Sequence, residues 1–254
     1  MHNIIVAGSH GSNKLISPAD VYVDRYENLY VADTGNSRIV QFMNEAIHAI
    51  TIAGGTSFTE SGNKLNQLNF PQGFAFDSTE TFMYVADSNN HRVLRFPTDS
   101  TSRTDGVIVA GKGVFGNTNE FLQEPSSIYL SSTNNDLFIV NRHASSVIRW
   151  TPGASSGTYV AGIPFMQCHN SSCLHMPAVI KMDSFQNMYI VDQGNHRVQM
   201  FCKNSKVGVT VAGNGVSGSS AMHLAWPSGM AFDSEMNMYV CDKDNKRVQK
   251  FTKL

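Results

Sequence analysis

The sequence predicts an all-β fold built from repeated four-stranded units, and a recurring phrase carries that prediction. The phrase has the form Tyr-Val-Ala-Asp-x-x-Asn-x-Arg and starts at Tyr30, Tyr84, Tyr189 and Tyr239 of the 254-residue chain, with a degenerate copy starting at Phe138. The starts are 54, 54, 51 and 50 residues apart. A nearly constant period of this length is typical of repeat architectures, in which each repeat is one supersecondary unit.

Each repeat contains four short apolar runs, rich in β-branched and aromatic residues and bounded by Gly, Asn, Asp and Ser, so each run is predicted to be a strand. No segment shows a sustained 3.6-residue periodicity, which predicts negligible helix content. Four antiparallel strands per repeat at this spacing indicate a blade of a β-propeller. We therefore expect one domain over residues 1–254 with five blades, which begin near Pro18, Pro71, Pro125, Pro177 and Pro227.

The two ends of the chain complete the predicted ring. Residues 4–8, Ile-Ile-Val-Ala-Gly, match the fourth strand of a repeat, whereas the last repeat has no fourth strand after Phe251. We expect the N-terminal strand to pair with the outer edge of the last blade, because this pairing would remove an open sheet edge. The alternative is that the five repeats are an excerpt of a longer array.

The Asp-x-x-Asn-x-Arg segment predicts a tight turn between the second and third strands of each blade. The aspartate can accept N–H groups across the turn, and the asparagine tolerates a left-handed conformation. The arginine is placed to pair with an aspartate. The residue between asparagine and arginine varies, so the histidines there, His91 and His196, are expected to be exposed. We assign a structural role to the turn residues Asp33, Asn36, Arg38, Asp87, Asn90, Arg92, Asp192, Asn195, Arg197, Asp242, Asn245 and Arg247.

The third repeat departs from this pattern, because Asn141 replaces the aspartate, and Ala144 and Ser146 replace the asparagine and the arginine. Arg142 and His143 are then released from the standard turn. One hypothesis is that Asn141, Arg142 and His143 form a partner-specific patch with the long loops that precede each proline, which should lie on the same face. The alternative is tolerated sequence drift.

Composition restricts the class of partner. With 19 basic and 20 acidic residues, the net charge of −1 does not indicate nucleic acid or an anionic membrane as a bulk electrostatic partner. No apolar run approaches the roughly 18 residues of a membrane helix. RNA binding is disfavoured because the repeat arginines have aspartates beside them. We expect a protein partner on the loop face and a monomeric chain.

The four cysteines give a modest indication of the compartment. Cys168 and Cys173 lie in one loop and could form a disulfide, and Asn170 between them begins a glycosylation sequon. Together they favour an extracellular setting. Cys241 replaces the small residue before the repeat aspartate and is expected to be a buried free thiol.

Through the segments Asn69-Phe70-Pro71-Gln72-Gly73 and Tyr84-Val85-Ala86-Asp87-Ser88-Asn89-Asn90-His91-Arg92-Val93, the chain resembles the NHL-repeat family of β-propellers over essentially its whole length. The family usually has six blades, whereas this sequence has five repeats. The resemblance implies a recognition module. In the TRIM-NHL ubiquitin ligases the propeller recognises substrates or RNA, and a separate RING domain, whose Cys/His framework is missing here, performs the transfer.

Two related propeller types imply an enzymatic alternative. The amidating lyase holds zinc with histidines near the axis, and lactonase-type propellers hold a divalent cation with acidic and Asn ligands in the channel. Here the first strands offer mainly small and apolar side chains. The aspartates that recur at their ends are expected to shape a turn rather than bind calcium, namely Asp24, Asp77, Asp183 and Asp233.

The function predicted from the sequence is therefore non-catalytic recognition of a protein partner. No catalytic residue, metal site or cofactor is predicted. The alternatives are the substrate-recognition module of a ubiquitin-ligase system and a metal-dependent lyase or hydrolase.

Overall fold

A computed structural model describes residues 14–44, 48–56 and 58–252, and these form a five-bladed β-propeller, as the sequence predicts. Blade 1 contains β1 (Asp20–Val23), β2 (Leu29–Asp33), β3 (Arg38–Phe42) and β4 (Ala49–Gly54). Blade 2 contains β5 (Pro71–Phe76), β6 (Phe82–Asp87), β7 (Arg92–Pro97) and β8 (Val107–Gly111). Blade 3 contains β9 (Pro125–Leu130), β10 (Leu137–Asn141), β11 (Ser146–Trp150) and β12 (Thr158–Ala161).

Blade 4 contains β13 (Ile180–Met182), β14 (Met188–Asp192), β15 (Arg197–Phe201) and β16 (Gly208–Ala212). Blade 5 contains β17 (Pro227–Phe232), β18 (Met238–Asp242) and β19 (Arg247–Phe251), a three-stranded sheet in the described part of the chain. Residues 4–8 lie outside the described residues, so closure of the ring by an N-terminal strand stays a prediction. No helix among the described residues is long and apolar enough to cross a membrane.

Neighbouring blades pack face to face through apolar side chains. Between blades 1 and 2, Ile39 and Ile52 pack against Phe74, Leu94 and Phe96. Because successive side chains of a strand point to opposite faces, each blade presents one apolar face to the preceding blade and one to the following blade. The interior of the propeller is thus a series of interblade layers rather than one central core.

The glycine that ends the fourth strand is required by the backbone. Gly54 and Gly111 have φ values of +84° and +76°, and a Cβ at either position would lie 2.5 Å from a carbonyl oxygen, of Ser37 or His91 respectively. This glycine therefore lets the chain leave each blade close to the turn between the second and third strands. The long loops begin from this point.

One face of blade 5 differs from its equivalents. Cys241 is exposed and Val248 is 62% exposed, whereas the equivalent Ala86 and Val93 of blade 2 are fully buried. The expectation of a buried Cys241 thiol is therefore wrong. The small-residue position is buried in other blades by the following blade, and no described element packs in this way against Cys241 and Val248.

Candidate functional site

The Asp-Asn-Arg residues form a hydrogen-bonded network within their own blade. In blade 2, Asp87 Oδ2 accepts hydrogen bonds from Arg92 Nε at 2.7 Å and from Asn90 Nδ2 at 2.9 Å. The other oxygen, Oδ1, accepts the N–H of Asn69 at 2.7 Å. Blades 1, 4 and 5 repeat the arginine and asparagine contacts at 2.7–2.9 Å.

The remaining arginine donors anchor the long loop that enters the same blade. Arg92 Nη1 donates to the carbonyl oxygen of Asn63 at 2.8 Å, and Nη2 donates to those of Lys64 at 2.8 Å and Gln67 at 3.1 Å. Arg197 and Arg247 bind three carbonyl groups each in the loops that enter blades 4 and 5. The turn is therefore a loop anchor that contacts the loop through main-chain atoms.

The left-handed residue of each turn is not the asparagine but the residue after it. The asparagine ends a single 3-10 turn, and His91 and His196 follow it at φ +52°. Both histidines are half-buried rather than exposed. Their Nδ1 atoms accept the N–H groups of Glu124 at 3.2 Å and Trp226 at 3.1 Å, which precede the first strand of the next blade. Burial lowers the pKa of both imidazoles below the ordinary value of 6.5.

Blade 3 keeps only part of the anchor. Asn141 Oδ1 accepts the N–H of Gln123 at 2.5 Å, but its Nδ2 and the buried hydroxyl groups of Ser145 and Ser146 have no partner among the described residues. The arginine that would hold the loop over residues 112–124 is replaced by Ser146. This loop therefore lacks the anchor of its equivalents in blades 2, 4 and 5.

Arg142 and His143 diverge from the same turn. Arg142 Nη2 donates to Gln193 Oε1 of blade 4 at 2.5 Å, and the side chain lines the propeller axis. His143 Nε2 lies 3.2 Å from Glu124 Oε2, at the boundary with the loop that enters blade 3. The structure thus places Arg142 at the axis and His143 beside the loop, and a partner-specific patch of Asn141, Arg142 and His143 stays a prediction.

A cavity of about 560 Å³ lies on the propeller axis and is lined by all five blades. Its wall contains the small residues expected of the first strands, among them Ser126, Ser127, Ala178, Ser228 and Gly229. It also contains four charged side chains, Asp20, Arg142, Lys181 and Lys243. Every blade except blade 2 contributes one of these charges.

Asp20 and Lys181 are exceptions to the mainly small and apolar first strands that the sequence predicts. Asp20 is the second residue after its blade proline and Lys181 is the fourth, and alternation along a strand puts both on the same side. Asp20 Oδ2 accepts the N–H of Phe74 at 3.1 Å. Burial raises the pKa of Asp20, and the nearby Lys181 charge opposes that shift.

The loop that enters blade 4 is closed by a disulfide between Cys168 and Cys173, whose Cα atoms lie 5.3 Å apart. Within it, Asn170 Oδ1 accepts the N–H of Ser172 at 2.9 Å. This loop is thus held both covalently and by Arg197.

Residues 3–177 match the SMP-30/Gluconolactonase/LRE-like region, a family of propellers, over more than half of the chain. The chain belongs to this family. This match does not confirm the narrower resemblance to the TRIM-NHL group. A similar protein is SUPPRESSOR OF QUENCHING 1 from Arabidopsis thaliana, 26% identical over 217 residues, which are 75% of this chain and 20% of that protein. The chain therefore spans one fifth of the length of that relative.

Solved structures share the fold. An auxiliary nutrient binding protein from Bacteroides ovatus aligns with a TM-score of 0.68 and 15% identity, over 96% of this chain and 60% of its own. A chain of the Nidogen/Laminin complex aligns with a TM-score of 0.63 and 15% identity, over 93% of this chain and 80% of its own. At these identities the likeness shows the fold alone.

Lactonase-type propellers imply a divalent cation in the channel, and the donor set of the axial cavity does not fit one. Such cations take carboxylate and carbonyl oxygens, but among the described residues Asp20 is the one carboxylate in the cavity wall, beside three cationic side chains. Asp24 and its equivalents bond the turn at the far end of the first strand, where Asp24 accepts the N–H groups of Tyr26 and Asn28. In the described residues no group of three or more His, Cys, Asp or Glu could hold a metal ion.

Proposed function

We propose that this SMP-30/gluconolactonase-type propeller is a non-catalytic recognition module whose loop face binds a protein partner. The observation that carries the proposal is the exposure of large apolar side chains on three consecutive loops. They are Val114 and Phe115 before blade 3, Phe165 and Met166 before blade 4, and Met222 and Trp226 before blade 5. Exposed apolar and aromatic groups of this kind are typical of protein interaction sites.

Anchoring of the loops supports the same proposal. Arg197 and Arg247 hold the loops before blades 4 and 5, so these loops are ordered before a partner arrives and less conformational entropy is lost on binding. Two exposed aromatic rings also contact the turn histidines His91 and His196. The ring centroids of Phe115 and His91 lie 6.0 Å apart, and those of Trp226 and His196 lie 5.8 Å apart, both edge to face.

The test compares two phenylalanines of similar exposure at opposite ends of the propeller. Phe115 is 72% exposed on the loop face, and Phe185 is 76% exposed in the turn between β13 and β14 at the other face. A photo-crosslinking amino acid is placed at each position in the full chain, and the captured protein is identified, purified and titrated by calorimetry against Phe115→Ser and Phe185→Ser.

We expect crosslinking at position 115 but not at 185, and a loss of affinity of about 10-fold or more for Phe115→Ser, because exposed aromatic anchors contribute most of the energy of such interfaces. Phe185→Ser should bind like the unmodified chain. Equal crosslinking at both positions, or equal affinity of both variants, would contradict a loop-face interface.

A further inference from the structure

We propose that the axial cavity binds a small organic anion with two or more carboxylate or phosphate groups. The cavity has a volume of about 560 Å³, within the range of small-molecule sites. The described residues of its wall carry three positive side chains and one carboxylate, a formal charge of +2. This charge is a local feature, because the whole chain has a net charge of −1.

The guanidinium of Arg142 is held at the cavity wall by the next blade. In blades 1 and 2, the hydroxyl groups of Thr34 and Ser88 at the equivalent turn position donate to the carbonyl oxygen of the next blade's proline at 2.6 Å. Gln193 makes the same contact to Pro227 through Nε2 at 3.0 Å, which directs its Oε1 to Arg142. Arg142 is thus oriented by an amide group, and no carboxylate of the described residues forms an ion pair with it.

The arginine therefore retains donors for a ligand. A guanidinium has five N–H donors in a planar fork, and the described residues give Arg142 one hydrogen bond, to Gln193. Burial lowers the pKa of Arg142, opposed by the charge of Glu124, but an arginine remains protonated at neutral pH. A planar fork of this kind matches the two oxygens of a carboxylate or phosphate group.

The two lysines add positive charge to the cavity wall from two further blades. Lys181 comes from the first strand of blade 4, and Lys243 comes from the turn of blade 5. Both lysine side chains are exposed, and neither forms an ion pair with a described residue. Lys181 lies near enough to Asp20 for its charge to oppose the rise in the pKa of that carboxyl. The Asp20 carboxylate already accepts the N–H groups of Val21 and Phe74. A ligand with two or more anionic groups would neutralise more than one of these three cationic side chains.

The same charges explain why a divalent cation is the wrong occupant. Three cationic groups around one cavity raise the cost of placing a further positive charge there, because the reduced dielectric near a protein surface strengthens their repulsion. Neutral sugars or apolar ligands would gain no charge pairing with the ammonium and guanidinium groups. The chemistry of the wall therefore selects for negative charge.

The experiment is calorimetric titration of the full chain with citrate and with inorganic phosphate at low ionic strength, with glycerol as a neutral control. Citrate distinguishes an organic polycarboxylate from a single phosphate group as the preferred ligand. Saturable one-to-one binding of citrate, tighter than that of phosphate and absent with glycerol, is expected. If citrate gives no saturable binding, or binds no more tightly than phosphate, the proposal is overturned.

Charge variants show whether binding occurs at the axis. Lys181→Gln combined with Lys243→Gln should weaken anion binding at least about 10-fold, and the matched pair Lys203→Gln with Lys246→Gln, which removes two exposed charges off the axis, should change it less than about 2-fold. Equal weakening by both pairs would overturn the axial site.

Asp20→Asn gives a test of opposite sign. Removing the one carboxylate of the wall should tighten anion binding by about 3-fold to 10-fold, whereas a merely structural role of Asp20 would lower the melting temperature and leave affinity unchanged. Unchanged or weaker binding would count against the proposal. These outcomes are separate from those of the loop-face test, because Phe115 does not line the axial cavity.

Discussion

Replacement of Arg92 tests whether the loop anchor depends on charge pairing. The side chains of Arg92 and Asp87 are 4% and 0% exposed, with Nε and Oδ2 2.7 Å apart. Arg92→Ser leaves Asp87 as a buried carboxylate without its cation and should destabilise the fold by about 3–5 kcal/mol. For a chain of this size, that corresponds to a fall in melting temperature of roughly 6–20 °C.

A double variant separates the cost of the unpaired charge from the cost of the lost hydrogen bonds. Blade 3 already carries Asn141 and Ser146 at the positions of Asp87 and Arg92. Asp87→Asn combined with Arg92→Ser removes the unpaired charge, so it should recover about 2 kcal/mol of the loss caused by Arg92→Ser alone. The remaining deficit is the loss of the hydrogen bonds to the loop carbonyl groups.

Calorimetric melting of the unmodified chain, both single variants and the double variant gives the coupling free energy directly. Arg247→Ser is the graded control: its side chain is 33% exposed, so its loss should cost roughly half as much. A double variant that is no more stable than Arg92→Ser would show that the anchor acts through loop hydrogen bonds and not through charge pairing.

Three further predictions follow from the turns and the cysteines. Because burial lowers the pKa of His91 and His196 in the folded state, these two imidazoles bind fewer protons in the folded chain than in the unfolded chain below about pH 6.5. Their stabilisation is present above that pH and is lost as the pH falls through the folded pKa. H91S/H196S keeps a hydroxyl acceptor, as in blade 1, so its unfolding free energy should fall less between pH 7.5 and 5.5 in denaturant titrations; an equal fall would contradict the assignment. Cys241 should react with a maleimide in the native protein at a rate near that of a free thiol, as measured by mass spectrometry of peptides, whereas protection until unfolding would show that its face is covered. Loss of the disulfide in Cys168→Ser with Cys173→Ser should cost about 2 kcal/mol for so short a loop, and a loss in melting temperature above that of Arg92→Ser would refute this magnitude.

The number of blades and the position of each turn could be predicted from the sequence because both depend on local, repeated chemistry. The aspartate, asparagine and arginine recur at one spacing, and a turn needs residues only a few positions apart. Residue preferences predict the left-handed conformation at the asparagine, whereas the structure has it at the following residue. His91 takes that conformation because the 3-10 turn ends with its N–H bonded to the carbonyl oxygen of Ser88 at 3.0 Å, which residue preferences alone do not reveal.

The axial cavity could not be predicted in the same way, since its charges come from different blades and from different repeat positions. Asp20 and Lys181 stand two and four residues after a proline, and Arg142 and Lys243 follow Asn141 and Asp242 at the start of the turn. Only the closed arrangement of blades brings these positions to one axis. The degenerate turn of the third repeat indicates that Arg142 is released from the standard turn. The direction of its side chain depends on Gln193 of the next blade.

Among the described residues, the arginine of the loop anchor in blades 2, 4 and 5 forms no hydrogen bond to a side chain of the loop that it holds. Arg92, Arg197 and Arg247 bind only carbonyl oxygens there, and every residue type supplies a carbonyl oxygen. Selection can therefore rewrite the side chains of a loop while its attachment to the blade is retained. By the same logic, grafting foreign loop sequences of equal length onto blades 2, 4 and 5 should alter what the face recognises without redesign of the scaffold.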